Sequence, residues 1–190
     1  MLKDLVLKNR SYRSFSSDVK ITKEEILDMI DLARITPSAM NLQPLRYKIC
    51  VSEKECATLL SLTSWAGRLR PLALPPKGHE PTAFIVICTD KKIVSKKESA
   101  WRDIGISAQT ILLRAAEMGL GGCMLGAFSS EQVSEALSIE DSFDPALIIG
   151  LGKPDEAIEL EELEGNDTSY YRTDDGTHHV PKRKLEDIII

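Results

Sequence analysis

Three short clusters in this 190-residue chain carry side chains suited to holding a polar or anionic ligand. The first is Arg10-Ser11-Tyr12-Arg13. Two guanidinium groups flanking a hydroxyl suit a phosphate, because arginine grips such a group in a fork of charge-assisted hydrogen bonds. Two solvated surface arginines would read the same way. The second cluster is Thr36-Pro37-Ser38-Ala39-Met40-Asn41-Leu42-Gln43-Pro44. Its prolines restrict the backbone, so Ser38, Asn41 and Gln43 can be held ready for a flat polar ligand at little entropic cost. A rigid turn bonding to its own backbone is the competing reading.

The third cluster is Gly119-Leu120-Gly121-Gly122-Cys123-Met124-Leu125-Gly126. It lacks the dinucleotide-binding spacing, since methionine stands at 124 where that pattern needs glycine, and it follows a helix instead of a strand. Its glycines allow backbone amides to approach a planar ring. A helix stop explains Gly119 and leaves Gly126 unexplained. No Ser-His-Asp or Cys-His order stands out, and His178 and His179 have no evident partner. Cys50, Cys56, Cys88 and Cys123 lack zinc-ligand spacing. Any reactive group is therefore expected to be borrowed from a cofactor.

These clusters sit between readable elements. A short helix fits residues 2–8. A second starts at Thr22, where Thr22 and Glu25 form a capping box, and carries Ile26, Met29, Ile30 and Ala33 at helical spacing. Strands fit 46–51, 83–88, 123–128 and 146–151, and helices fit 53–62 and 101–118, with another starting at Ser129 or Ser130. Residues 65–81 read as a loop rich in Gly and Pro, in which Trp65 and Arg68 could be lid residues or Trp65 a core anchor. The expected fold class is α+β, one domain over 1–190, with an aliphatic core. The tail, 155–190, is first acidic, then basic at Lys182 and Arg183, and closes on three isoleucines. Those apolar residues need a surface, either the chain's own sheet or a partner subunit.

Composition narrows the function classes. With 24 basic and 29 acidic residues the net charge is −5, against a nonspecific nucleic-acid partner. No apolar run reaches membrane-spanning length, and the first residues lack a signal-peptide core, so a cytoplasmic protein is expected.

In order and spacing the clusters resemble the nitroreductase family of FMN-dependent oxidoreductases. The resemblance rests on Arg10-Ser11-x-Arg13, on Pro37-Ser38-Ala39-x-Asn41-x-Gln43-Pro44, on Asp103-Ile104-Gly105-Ile106-x-Ala108-Gln109 leading to Gly119-Leu120-Gly121-Gly122, and on His178-His179-Val180-Pro181-Lys182-Arg183. It implies a mixed sheet flanked by helices, in an intertwined homodimer whose C-terminal arm, 155–190, embraces the partner. It also implies that Arg10, Ser11, Arg13, Lys182 and Arg183 hold the FMN phosphate and ribityl group. Pro37, Ser38, Ala39, Met40, Asn41 and Gln43 would serve the flavin from the other subunit, and Met124, Leu125 and Gly126 would lie along its ring. NADH or NADPH would donate electrons to a nitroaromatic, quinone or flavin in ping-pong fashion, with no catalytic side chain named. The chain reads Leu125-Gly126-Ala127 where many members carry a polar or acidic residue, which leaves the acceptor open. A specialised reductive dehalogenase, or a flavin-binding redox sensor without turnover, are the alternatives.

Overall fold

The computed structural model describes residues 1–69 and 71–190. Helix α1 (Leu2–Lys8) leads through the Arg10–Arg13 segment into a two-residue strand, β1 (Phe15–Ser16). Helix α2 (Lys23–Arg34) starts as its sequence requires. Thr22 Oγ1 accepts from the Glu25 amide at 3.2 Å, and the Glu25 carboxylate accepts from the Thr22 amide at 2.8 Å. A 3-10 turn at Ala39–Asn41 precedes β2 (Leu45–Cys50), and α3 (Glu53–Leu62) is capped by Ser52. After the loop containing residue 70, which lies outside the described residues, come β3 (Ala83–Asp90) and the longest helix, α4 (Trp101–Glu117). Gly119 ends α4 with φ +73°, a left-handed turn that glycine adopts without a Cβ penalty. Then follow β4 (Gly121–Leu125), α5 (Ser130–Leu137) and β5 (Phe143–Pro154).

Strand β5 organises the main sheet. It pairs with β3, which in turn pairs with β2, and also with β4 and, at Lys153 and Pro154, with β1, all antiparallel. Parallel pairing enters at a bridge between Ser11 and Gly122 and in a second, smaller sheet. Helices cover both faces of the main sheet, so β3 is buried on both sides. Ala83, Ile85 and Ile87 face a core shared with α2 and α4, including Ile104, Ala108, Ile111, Leu112 and Ala115. Phe84, Val86 and Cys88 face a second core under α3 and α5. Successive strand side chains point to opposite faces, and both faces are dry.

Two expectations need correction. The strand expected at 123–128 runs Gly121–Leu125, because residues beyond it leave the ladder and the Ala127 carbonyl accepts from the Ser64 amide at 3.0 Å. The strand expected at 146–151 spans 143–154, passing a register shift opposite Ile87 and Cys88 that accommodates Pro145. Trp65 is a core anchor. Its ring packs into the second core against Gly150, where a Cβ would stand 2.9 Å from Trp65 Cη2.

The tail does not extend the main sheet. It forms its own sheet, with β6 (Ile158–Glu162) parallel to β8 (His178–Lys182) and β7 (Tyr171–Arg172) antiparallel to β8. Within one chain the arm expected at 155–190 pairs with itself as far as Lys182 and packs against Arg13 through His178. Residues 183–190 remain exposed, the isoleucines 188–190 among them. Among the described residues no helix is long and apolar enough to cross a membrane.

Candidate active site

The segment after α1 is tied down at both ends. The Tyr12 amide donates to the Gly122 carbonyl at 3.1 Å, and the amides of Arg13 and Ser14 both donate to the Glu156 carboxylate. Glu156 also accepts from Arg172 Nη2, so its charge is answered inside the same cluster. This arrangement explains the glycine run. A Cβ on Gly121 would lie 2.5 Å from the Tyr12 ring, and one on Gly122 would lie 2.5 Å from the Gly150 carbonyl oxygen. Gly121 and Gly122 therefore admit Tyr12 and β5, a packing reason for glycine that needs no ligand ring. Gly126 has open space where its Cβ would be.

One cavity of about 430 Å³ gathers residues from distant parts of the chain. Arg10, Ser11 and Arg13 line it from the N-terminal segment, Gln109 and Leu112 from α4, Met124 from β4, and Ile158, Tyr170, His178, Val180 and Lys182 from the tail. The Arg13 guanidinium is buried, lies over the Tyr170 ring at 5.1 Å, and donates through Nη1 to the Ser11 carbonyl at 3.1 Å and to the His178 ring at 3.3 Å. Among the described residues no carboxylate lies within ion-pair distance of the Arg10, Arg13 or Lys182 side-chain cations. The Nε atoms of Arg10 and Arg13 are buried without partners. Cations held this way around a half-apolar cavity are a set of donors shaped for an anion with an organic body.

The Ser38 loop lies in a different cavity of about 460 Å³, lined by Pro37, Ser38, Leu42, Gln43, Tyr47 and Asp103 among others. Three of its non-glycine residues, Met40, Asn41 and Gln43, have φ near +50°. Such conformations cost roughly 1–3 kcal/mol each and persist only where neighbours impose them. The neighbour is Asp103, buried on α4. Its carboxylate accepts from the Ser38 hydroxyl at 2.5 Å and the Ala39 amide at 3.2 Å, and Ser38 Oγ in turn accepts from the Gln43 amide at 3.0 Å. Met40 is 86% exposed at the tip.

Of the residues singled out from sequence, Arg10, Ser11, Arg13, Met124 and Lys182 share one cavity. Pro37, Ser38 and Gln43 line another, with Ala39, Met40 and Asn41 in the same loop. Leu125 is buried in the second core, so only its backbone can meet a ligand, and Arg183 is exposed next to Lys182. Sequence reasoning missed Glu156, Arg172, Tyr170 and the role of Asp103. An aspartate on the buried stripe of α4, in line with Ser107 and Ile111, was the readable signal for the last.

The tail histidines do have partners, contrary to expectation. His178 meets Arg13, and His179 Nδ1 lies 2.6 Å from Glu161. Burial, then the Arg13 and Arg172 charges, hold the His178 pKa down at about 4. The cysteine thiols are buried and pushed upward, Cys50 and Cys88 to about 12 and Cys56 to about 11, which removes them as nucleophiles. Among the described residues no group of three or more His, Cys, Asp or Glu could hold a metal.

A family model described as the nitroreductase family matches residues 6–153. An NADH dehydrogenase/NAD(P)H nitroreductase of Archaeoglobus fulgidus is 28% identical over 165 residues, covering 84% of this chain and 89% of its own length. An iodotyrosine deiodinase of Thermotoga neapolitana is 24% identical over 172 residues, covering 82% and 90%. The crystal structure of a nitroreductase in complex with FMN from Exiguobacterium sibiricum superposes with a TM-score of 0.71 at 22% identity, covering 89% and 96%.

Proposed function

Because the chain belongs to the nitroreductase family, we propose that it is an FMN-dependent oxidoreductase that takes electrons from NADH or NADPH and passes them to a small acceptor. The observation that carries this reading is the convergence of Arg10, Arg13 and Lys182, free of carboxylate partners, on one cavity with an apolar wall. A phosphate monoester carries about −1.5 to −2 charges at neutral pH and three strong acceptor oxygens, which suits these donors. When bound, FMN supplies the electron carrier between nicotinamide and acceptor, chemistry that no side chain here can replace.

The protein's own residues then place that carrier. Arg10, Ser11, Arg13 and Lys182 hold the phosphate end, with Arg183 beside them. Glu156 and Arg172 brace the segment that carries Arg13. Met124, exposed at the cavity wall, and the open backbone at Gly126 leave one side free for a flat ring. No general acid or base is required of the chain.

The second half of the site is supplied by another copy. The 38–43 loop, locked by Asp103 and presenting Met40 outward, lies in a separate cavity of its own chain. Trp101 and Ile106 on α4, with Leu2, Val6 and Leu7 on α1, leave apolar side chains exposed along contacting helices. A homodimer through this face would bury them and bring each 38–43 loop toward the other chain's cationic cavity. Residues 183–190 supply further apolar surface for the partner.

Anaerobic stopped-flow tests the proposal. NADH or NADPH should bleach the bound flavin, and a quinone or nitroaromatic should restore it. A bound flavin that neither nicotinamide reduces would favour the redox-sensor alternative. Recovery with a halogenated phenol only would favour the dehalogenase.

A further inference from the structure

His178 occupies a position that the phosphate-binding role of the arginines does not explain. The residue is 2% exposed, at the start of β8 on the wall of the cationic cavity. Its Nε2 stands 3.3 Å from Arg13 Nη1. A guanidinium only donates, so Nε2 must be the acceptor and the ring proton must sit on Nδ1. That Nδ1 is buried without a hydrogen-bond partner. The ring is therefore neutral, and its one donor has only the Tyr171 backbone near it.

The groups facing the ring are mostly positive. Arg13 comes from the N-terminal segment and Arg172 from β7; His179 is next along β8, and Arg10 and Lys182 line the same cavity. Tyr170 packs edge-on at 5.3 Å. The Tyr171 backbone alone favours a charged ring. The one carboxylate in the cluster, Glu156, is already engaged by Arg172 and two backbone amides.

We propose that His178 is a further member of the anion site, neutral in the protein alone and protonated when a phosphate monoester joins Arg13 in the cavity, so that ligand binding takes up a proton. The inference rests on reading this cavity as the FMN phosphate site. Ligand oxygens draw Arg13 Nη1 away from the ring, and the freed Nε2 accepts a proton from solvent. The ligand's negative charge then offsets Arg13 and Arg172, the two charges that add to burial in holding the ring neutral. A ring that starts near pKa 4 and rises toward its ordinary 6.5 gains its proton between about pH 4 and 6.5.

The test is a histidine-ring NMR titration of the full chain, with and without saturating FMN, the His178 signal being assigned by its absence in His178→Gln. Flavin fluorescence, followed in parallel, reports binding itself. The expected result is a rise of about one pKa unit or more for His178 on FMN binding. Calorimetry at pH 5.5 in two buffers of different ionisation enthalpy should show more proton uptake in the wild type than in His178→Gln. That variant keeps a carbonyl acceptor for Arg13 but cannot titrate, and the difference cancels protonation of the phosphate itself. FMN binding with an unmoved His178 pKa and equal uptake in both proteins overturns the coupling and leaves the cofactor reading intact. Failure of FMN to bind the wild type overturns both.

Discussion

Arg13 donates to the ring of His178 across 3.3 Å, joining the segment after the first helix to a strand 165 residues later. The contact closes the cationic cavity from two ends of the chain, and burial of the ring, with the Arg13 and Arg172 charges beside it, makes the folded state sensitive to acid. An unfolded histidine titrates near 6.5, whereas His178 in the fold titrates near 4. Between those values the unfolded chain binds more protons, so stability falls as pH drops through that window, by up to about 1.4 kcal/mol per pH unit. Urea midpoints of the ligand-free protein should therefore decline from pH 6.5 to 4 more steeply than those of His178→Gln. Parallel declines would contradict the contact.

Removing the Arg13 side chain leaves its amide bond to Glu156 in place, so the fold should persist. Charge-assisted hydrogen bonds contribute about 1.5–3 kcal/mol, so Arg13→Ala should weaken FMN binding roughly tenfold to hundredfold. Equilibrium titration of flavin fluorescence reads this directly. Unchanged affinity would remove Arg13 from the phosphate site.

Glu156 is the brace for the same segment. Its side chain is 4% exposed and that of Arg172 is 15%, and removing one partner of a buried pair costs about 3–5 kcal/mol. Glu156→Ala should be far less stable to urea than a surface control such as Glu24→Ala. Similar midpoints would mean that the pair is solvated.

Much of the architecture could be read locally. The Thr22 capping box and the stripe of α4 are set by neighbours three or four residues away, so periodicity finds them. The limits of β4 and β5 depend on which strand edges are already paired, which no local pattern records. The tail was harder still. Three terminal isoleucines suggested a strand or an arm, yet the pairing segment lies upstream at 178–182, in a stretch with two histidines and a proline. Of the residues lining the cationic cavity, Arg10 and Arg13 were legible from their chemistry, and Lys182 only through the family resemblance. Glu156, Arg172 and the histidine partners were not, because an ion pair between remote segments leaves no spacing to detect. Gly121 and Gly122 were seen, but only the fold reveals Tyr12 packed against the first and β5 against the second.

Asp103 holds the strained 38–43 loop. Asp103→Ala leaves the Ser38 hydroxyl and the Ala39 amide without their acceptor, at a cost of about 1–3 kcal/mol. Its melting temperature should fall, and FMN affinity should fall in the proposed dimer, which would bring that loop to the cofactor; Asp103→Asn should recover part of both. A loss of stability with full FMN affinity would separate the loop from the flavin site.

Truncation discriminates between the two parts of the tail. A chain ending at 184 keeps the 158–182 sheet and should fold and bind FMN, with weaker dimerisation by sedimentation. A chain ending at 179 removes Lys182 and opens β8, and it should lose flavin as well. Full loading of the shorter chain would exclude Val180 and Lys182 from the site.

The most direct measurement compares the affinity of the flavin-free protein for FMN and for riboflavin, which differ only by the phosphate. FMN should bind at least about a hundredfold more tightly, given several charge-assisted bonds to that group, and the gap should shrink in Arg13→Ala and Lys182→Ala. Equal affinity for the two flavins would mean that the cationic cavity does not hold the phosphate.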